Sequence, residues 1–192
     1  MIYSVESHYR EVIDSLKAQI FDIEHGENSV EKEYSIYNQY YDELEELEIQ
    51  RFHARNKLII SIYSICEASL AGICTHYHVP LVHSSQNSPT KDFYLKDYLF
   101  SLGVDYTAKN KEISPYVVYH AIRPLRNYLT HSQGNNNLAS EVINKMKSVG
   151  FDNIVNYSGV IQIESEKLII KIMSYCNDML VLSENLARNN FN

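Results

Sequence analysis

Ser114 to His131 reads SPYVVYHAIRPLRNYLTH, and the interpretation of this stretch decides the fold. Serine followed by proline marks a helix start. The hydroxyl can cap the first turn, and proline at the first helical position lacks an N–H that would have no partner there. One helix is therefore predicted over about 114–131, ending in the polar loop 132–137. Pro124 interrupts it, removing the bond to the carbonyl of His120, so a kink is expected just before Arg126. The last six residues, Arg126-Asn127-Tyr128-Leu129-Thr130-His131, hold the chemistry. A guanidinium keeps its charge at any physiological pH and can hold a phosphate with two parallel hydrogen bonds. An imidazole exchanges protons near neutrality. Asn127 offers a neutral donor and acceptor to orient either group. Five residues along an ideal helix advance about 7.5 Å and turn about 140°, so Arg126 and His131 do not share one face.

Upstream, Leu58 to Tyr77 is the most apolar segment, with Leu58, Ile59, Ile62, Ile65, Cys66, Leu70, Ile73 and Cys74. A helix apolar on most sides is a central one. Glu67 lies inside it. A buried carboxylate is costly unless paired, so Glu67 either reaches the surface or meets a cation, Arg126 being the first candidate. Tyr63 and Glu67 are the positions to inspect for support of the motif. Residues 3–25 read as an amphipathic helix, broken by His25-Gly26-Glu27-Asn28, with Ser29 as the next N-cap. Val30, Tyr34, Tyr37, Tyr41 and Leu44 then alternate spacings of four and three, a short heptad-like seam that suits either a packed helix or a dimer contact. Glu43, Glu45, Glu46 and Glu48 read as a solvated face. His76, His78, His83 and Cys74 match no zinc spacing, and a histidine-rich helix end explains them better than a metal.

Downstream of Pro80 to Thr90, a loop, a short helix is expected over 92–102, ended by Gly103. Asn137 to Val149 is a further helix, and Asn156-Tyr157-Ser158-Gly159 between β-branched residues suggests a small hairpin. The last helix runs from about Ser165 to Ala187. The fold class is therefore all-α, a helical bundle with a small β-hairpin before the C-terminal helix. One domain over 1–192 is expected, its first 28 residues a helical extension.

Composition narrows the class. Hydrophobic residues make up 45% of the 192 and charged ones 21%, which suits a soluble globular chain. With 6 Gly and 4 Pro, an all-β plan lacks its turns. No apolar run is read as long enough to span a bilayer, and no signal peptide is read at the N-terminus. Cys66, Cys74 and Cys176 fall in apolar helical patterns and are expected as reduced, buried thiols. Together these indicate the cytoplasm. A net charge of −7 argues against a general polyanion binder. The cations are clustered, however: Arg51, His53, Arg55 and Lys57 follow the acidic run, and His120, Arg123, Arg126 and His131 lie together later. A local basic site on an acidic body is the expectation.

The six-residue motif resembles the signature of the HEPN superfamily: arginine, a polar residue, three variable residues, histidine. A long Glu-containing helix before the motif helix and another after it are also similar to that family, over much of the chain from about Val30. The likeness is greatest to stand-alone microbial members of toxin–antitoxin, abortive-infection and anti-phage systems. It implies a metal-independent endoribonuclease without a cofactor, its active site shared across a homodimer. Arg126 would stabilise charge on the phosphorane-like transition state, His131 would act as general acid or base, and Asn127 would orient them. Glu67 would be an orienting residue, and His120, Arg123, Arg55 and Lys57 would contact RNA. An antitoxin or regulator protein is an implied partner, a membrane is not. HEPN toxins paired with nucleotidyltransferase antitoxins carry a tyrosine two residues after the histidine. Gln133 stands there, so regulation through that tyrosine is not expected. The competing function is a non-catalytic module binding RNA, a nucleotide or a protein.

Overall fold

The computed structural model describes residues 2–25, 30–84, 92–107 and 114–191, without the side chains of 2–6, 24 and 30–36. The fold is all-α with one two-stranded antiparallel hairpin. Contacts divide the chain into two compact units, residues 1–57 and 58–192.

In the first unit, α1 (Ile2–His25) buries Ile13, Leu16 and Ile20, the three-and-four spacing of a helix face. Lys17 Nζ lies 3.4 Å from Glu48 Oε1, joining α1 to α2 (Val30–His76) through an exposed pair of small energetic weight. The acidic face is exposed as read from sequence. Tyr37 and Tyr41 pack ring to ring at 4.6 Å, while Ser29 and the Val30 and Tyr34 side chains of the seam lie outside the described residues. The sequence reads as two helices here, yet α2 is one helix of 47 residues, about 70 Å long. From Val30 to Ala71 there is neither glycine nor proline, and the charged middle is built of good helix formers, so nothing stops it.

The second unit takes over α2 from Leu58. Ile59, Tyr63, Cys66, Leu70 and Cys74 form its buried face, whereas Ile65 is 65% exposed. The helix is thus half-buried rather than covered on most sides. Its stretch Tyr37–His76 contains a window of mean hydropathy 1.7, long and apolar enough to cross a membrane by length and composition. That corrects the expectation that no run reaches such a length, and a core helix of a soluble protein has the same composition.

α3 (Leu95–Ser101) is capped by Asp97, whose buried carboxylate accepts the N–H of Tyr94 and both the N–H and hydroxyl of Ser84. Ser114 to His131 is one helical run as predicted, in three parts: α4 (Ser114–Val117), a π turn (Val118–Ile122) and α5 (Arg123–His131). Arg123 N–H donates to the carbonyl of Val118, five residues back. The distortion expected from Pro124 therefore appears as a widened turn. Pro124 has no N–H to give His120 and its ring crowds that carbonyl, and a π turn relieves both without breaking the helix. This run buries Val117, Val118, Ala121, Ile122, Leu125, Tyr128 and Leu129 against α6 (Asn136–Ser148) and α7 (Glu166–Phe191).

β1 (Ile154–Tyr157) pairs with β2 (Val160–Ile163) through the two-residue turn Ser158-Gly159, both at positive φ, 49° and 84°. Such a turn matches the natural strand twist. Ile154, Ile161 and Ile163 turn inward, and the hairpin packs on α6. Cys66, Cys74 and Cys176 are free, buried thiols as the sequence predicts.

Candidate functional site

The two ends of the motif are built differently. Arg126 is half-buried, and its guanidinium carbon lies 5.6 Å from the centre of the Tyr63 ring, a cation–π contact on the buried face of α2. Its Nη1 donates to Asn127 Oδ1 at 3.1 Å, so the asparagine beside it orients the arginine. Its Nε is buried and has no hydrogen-bond partner. Among the described residues no carboxylate pairs with Arg126 or Arg123. Burial first, and the Glu67 carboxylate second, push the Tyr63 phenol well above its ordinary range, against the opposing pull of Arg123 and Arg126. Tyr63 is therefore a neutral ring placed among three charged groups.

Glu67 does not pair with Arg126. Its Oε1 accepts the backbone N–H of Leu95 at 2.9 Å, using its charge on the first turn of α3. Both Glu67 and Arg126 act on the phenol of Tyr63, one turn back from Glu67 on α2. The i, i+4 spacing from Tyr63 to Glu67 was legible, but which of the two would touch the arginine was not.

His131 ends α5 exposed. It opens, with residues 132–138, into an open polar cavity of about 680 Å³ that Arg126 does not line. The loop behind it is held from the hairpin. Gly134 N–H donates to the carbonyl of Gly159 at 2.6 Å, and the Tyr128 hydroxyl donates to the same carbonyl and to that of Asn135. Asn156 Oδ1 accepts the N–H of Gly159, while its Nδ2 donates to Asn136 and Ser140. Asn135 caps α6 by accepting from Leu138 N–H. Gly159 sits so close to Gly134 that an added Cβ would lie 2.4 Å from its carbonyl carbon. The motif's histidine end is thus positioned by a β-turn some thirty residues on, which no local spacing could have revealed.

His120 occupies the π turn, its ring against Tyr116 at 4.4 Å and Tyr119 at 4.9 Å. Burial, with the nearby Lys145 charge, lowers its pKa below 6.5 against an opposing hydrogen bond to the Tyr106 backbone. Its Nε2 is buried without a partner. His120 is thus disposed to be a neutral ring at pH 7 rather than the cation its place in a basic cluster suggested. Arg123 lies with its guanidinium carbon 5.1 Å from the Tyr119 ring centre. Arg55 is buried and Lys57 exposed, both at the end of the first unit, whereas His120, Arg123, Arg126 and His131 all belong to the second. Among the described residues no three of His, Cys, Asp and Glu gather as a metal site would require.

No family model matches the chain, and neither a curated protein nor a solved structure matches it.

Proposed function

We propose that the chain is a metal-independent endoribonuclease of HEPN type, acting in the cytoplasm as a toxin or anti-phage effector. The observation that carries this reading is the state of Arg126: half-buried, oriented by Asn127 and Tyr63, with no carboxylate partner among the described residues and an unpartnered Nε. A half-buried guanidinium that meets no anion among the described residues is suited to receive one, and a phosphodiester offers a pair of oxygens matched to its fork.

In the proposed reaction the RNA 2′-hydroxyl attacks the adjacent phosphorus and the 5′-oxygen leaves, giving a 2′,3′-cyclic phosphate and a 5′-hydroxyl. His131 moves the proton, as base from the 2′-hydroxyl or as acid to the leaving oxygen. Arg126 holds the non-bridging oxygens as charge builds on them. In one chain Arg126 and His131 do not open into the same cavity, which favours a site completed by a second copy. Each His131 would then face the Arg126 of its partner. A cognate antitoxin or regulator would act by covering that cleft.

The test is cleavage of mixed RNAs in excess EDTA by wild type, Arg126→Ala and His131→Ala, with solution mass measured alongside. A dimer whose cleavage is lost in both variants, leaving cyclic phosphate ends, supports the reading. A folded wild type that binds RNA or a nucleotide without cleaving it replaces the reading with a non-catalytic module, the function that the separation of Arg126 from His131 favours if no second copy joins them.

A further inference from the structure

The π turn carries more than the relief of Pro124. It carries the half-buried rings Tyr119 and His120, which Tyr116 joins from α4 and Tyr106 from the preceding loop, 4.8 Å from Tyr119. Arg123 lies over Tyr119 and meets no carboxylate among the described residues. A π turn inside an α-helix is an irregularity frequently found at functional sites. Rings interleaved with a guanidinium that meets no carboxylate among the described residues, on a chain of net charge −7, form a local exception to the protein's field. Such a surface is matched to a strand with both π faces and phosphates. Unpaired nucleotides present their bases for stacking on tyrosine, histidine or the guanidinium plane, whereas in a duplex those faces are already occupied.

We infer that Tyr116, Tyr119 and Arg123 form a base-stacking platform for unpaired RNA, roughly one to three helical turns before the Arg126–His131 segment. The platform rests on the proposed nuclease reading only for its purpose, which is to hold the strand that the motif would cut. Arg123 supplies both plane and charge, and Tyr119 supports it from below. His120 fills the space between the two tyrosines as an uncharged ring.

The test measures binding of a short 2′-O-methyl oligonucleotide, which lacks the attacking hydroxyl, to the full chain. An abasic oligomer of equal charge is run beside it. Tyr119→Ala and Tyr116→Ala should each weaken binding of the base-bearing strand by roughly 5- to 100-fold. Tyr119→Phe should bind as wild type does, because the ring rather than the hydroxyl is used. Arg123→Lys keeps the charge and loses the plane, so it should weaken the base-bearing strand and leave the abasic one unchanged. Wild-type affinity retained in Tyr119→Ala and Tyr116→Ala, or a loss equal on both oligomers, overturns the platform. So does a wild type that prefers duplex RNA or binds neither. Should Tyr119→Ala not fold, Tyr116→Ala and Arg123→Lys decide alone. Binding that follows this pattern without any cleavage of unmodified RNA would leave the platform standing and remove the nuclease reading.

Discussion

The arginine end and the histidine end of one short motif sit in unlike surroundings. Arg126 is gripped from inside, by an aromatic ring on α2 and by its own neighbour in sequence, and its side chain is part of the packing. His131 is exposed at the last turn of α5, and what fixes it is the loop and hairpin behind it rather than any contact of its ring. The difference separates two costs. Removing Arg126 should hurt both the fold and the site, whereas removing His131 should hurt the site alone.

The largest expected effect breaks this comparison at its functional end. His131→Ala should lower RNA cleavage by roughly 10²- to 10⁴-fold, the ordinary worth of a general acid or base. Its thermal midpoint should stay close to that of wild type, because the ring lost is exposed and has no hydrogen-bond partner among the described residues. Arg126→Ala should abolish cleavage and also lower the midpoint, since it empties the face of Tyr63 and leaves Asn127 without its donor. Equal midpoints for the two variants would show that the contrast in burial has no energetic content.

The next effect falls on the hairpin that supports His131. Gly159→Ala places a methyl within 2.4 Å of the Gly134 carbonyl carbon at a φ of +84°. Overpacking of backbone on backbone together with a left-handed residue should cost about 2–4 kcal/mol in a denaturant melt. Cleavage per folded molecule should fall as well, because the loop next to His131 must move. Tyr128→Phe removes the hydroxyl shared by the Gly159 and Asn135 carbonyls and should cost less, about 1–2 kcal/mol. A Gly159→Ala protein as stable and active as wild type would detach the hairpin from the site.

These two regions also explain how far the sequence carried. Helix starts and stops such as Ser114-Pro115 and Gly103 and the hairpin residues Ser158-Gly159 are local, and local steric rules make them legible. The length of α2 was missed for the opposite reason. The absence of any breaker between Val30 and Ala71 is a signal that a search for breakers passes over. Tyr63 could be named as worth inspecting but not assigned a contact, because a cation–π pair between residues 63 positions apart depends on how two helices meet. The support of Gly134 by Gly159 is likewise tertiary. The π turn had a local cause in Pro124, yet a proline alone does not say whether a helix kinks or widens.

A smaller effect sharpens the arginine end. Tyr63→Phe keeps the ring face that Arg126 rests on, so cleavage should change less than about threefold, the phenol being neutral in any case. Tyr63→Leu keeps the bulk and loses the quadrupole. Here kcat should drop by roughly 3- to 10-fold, the worth of about 0.7–1.4 kcal/mol in a half-buried cation–π contact, with the salt dependence of RNA binding unchanged. If Phe and Leu behave alike, Tyr63 serves Arg126 only as packing.

The smallest effect is a slope. The fold holds the His120 pKa below its ordinary 6.5, chiefly by burying the ring. Between that lowered value and 6.5 the unfolded chain binds more protons than the folded one, so stability rises with pH across this window. The contribution is fully present above 6.5, declines as the pH falls through it, and stops changing below the folded value. Melts of wild type and His120→Gln at the ordinary value and about one pH step either side of it should show a gap that shrinks on acidification. The other histidines are common to both proteins and cancel in the difference. The sign matters beyond stability: a His120 kept neutral can pack between Tyr116 and Tyr119 but cannot hold a phosphate by charge. A gap that widens on acidification would mean that the ring is cationic in the fold, returning His120 to the basic cluster and leaving Arg123 and Arg126 as members of a larger charged surface.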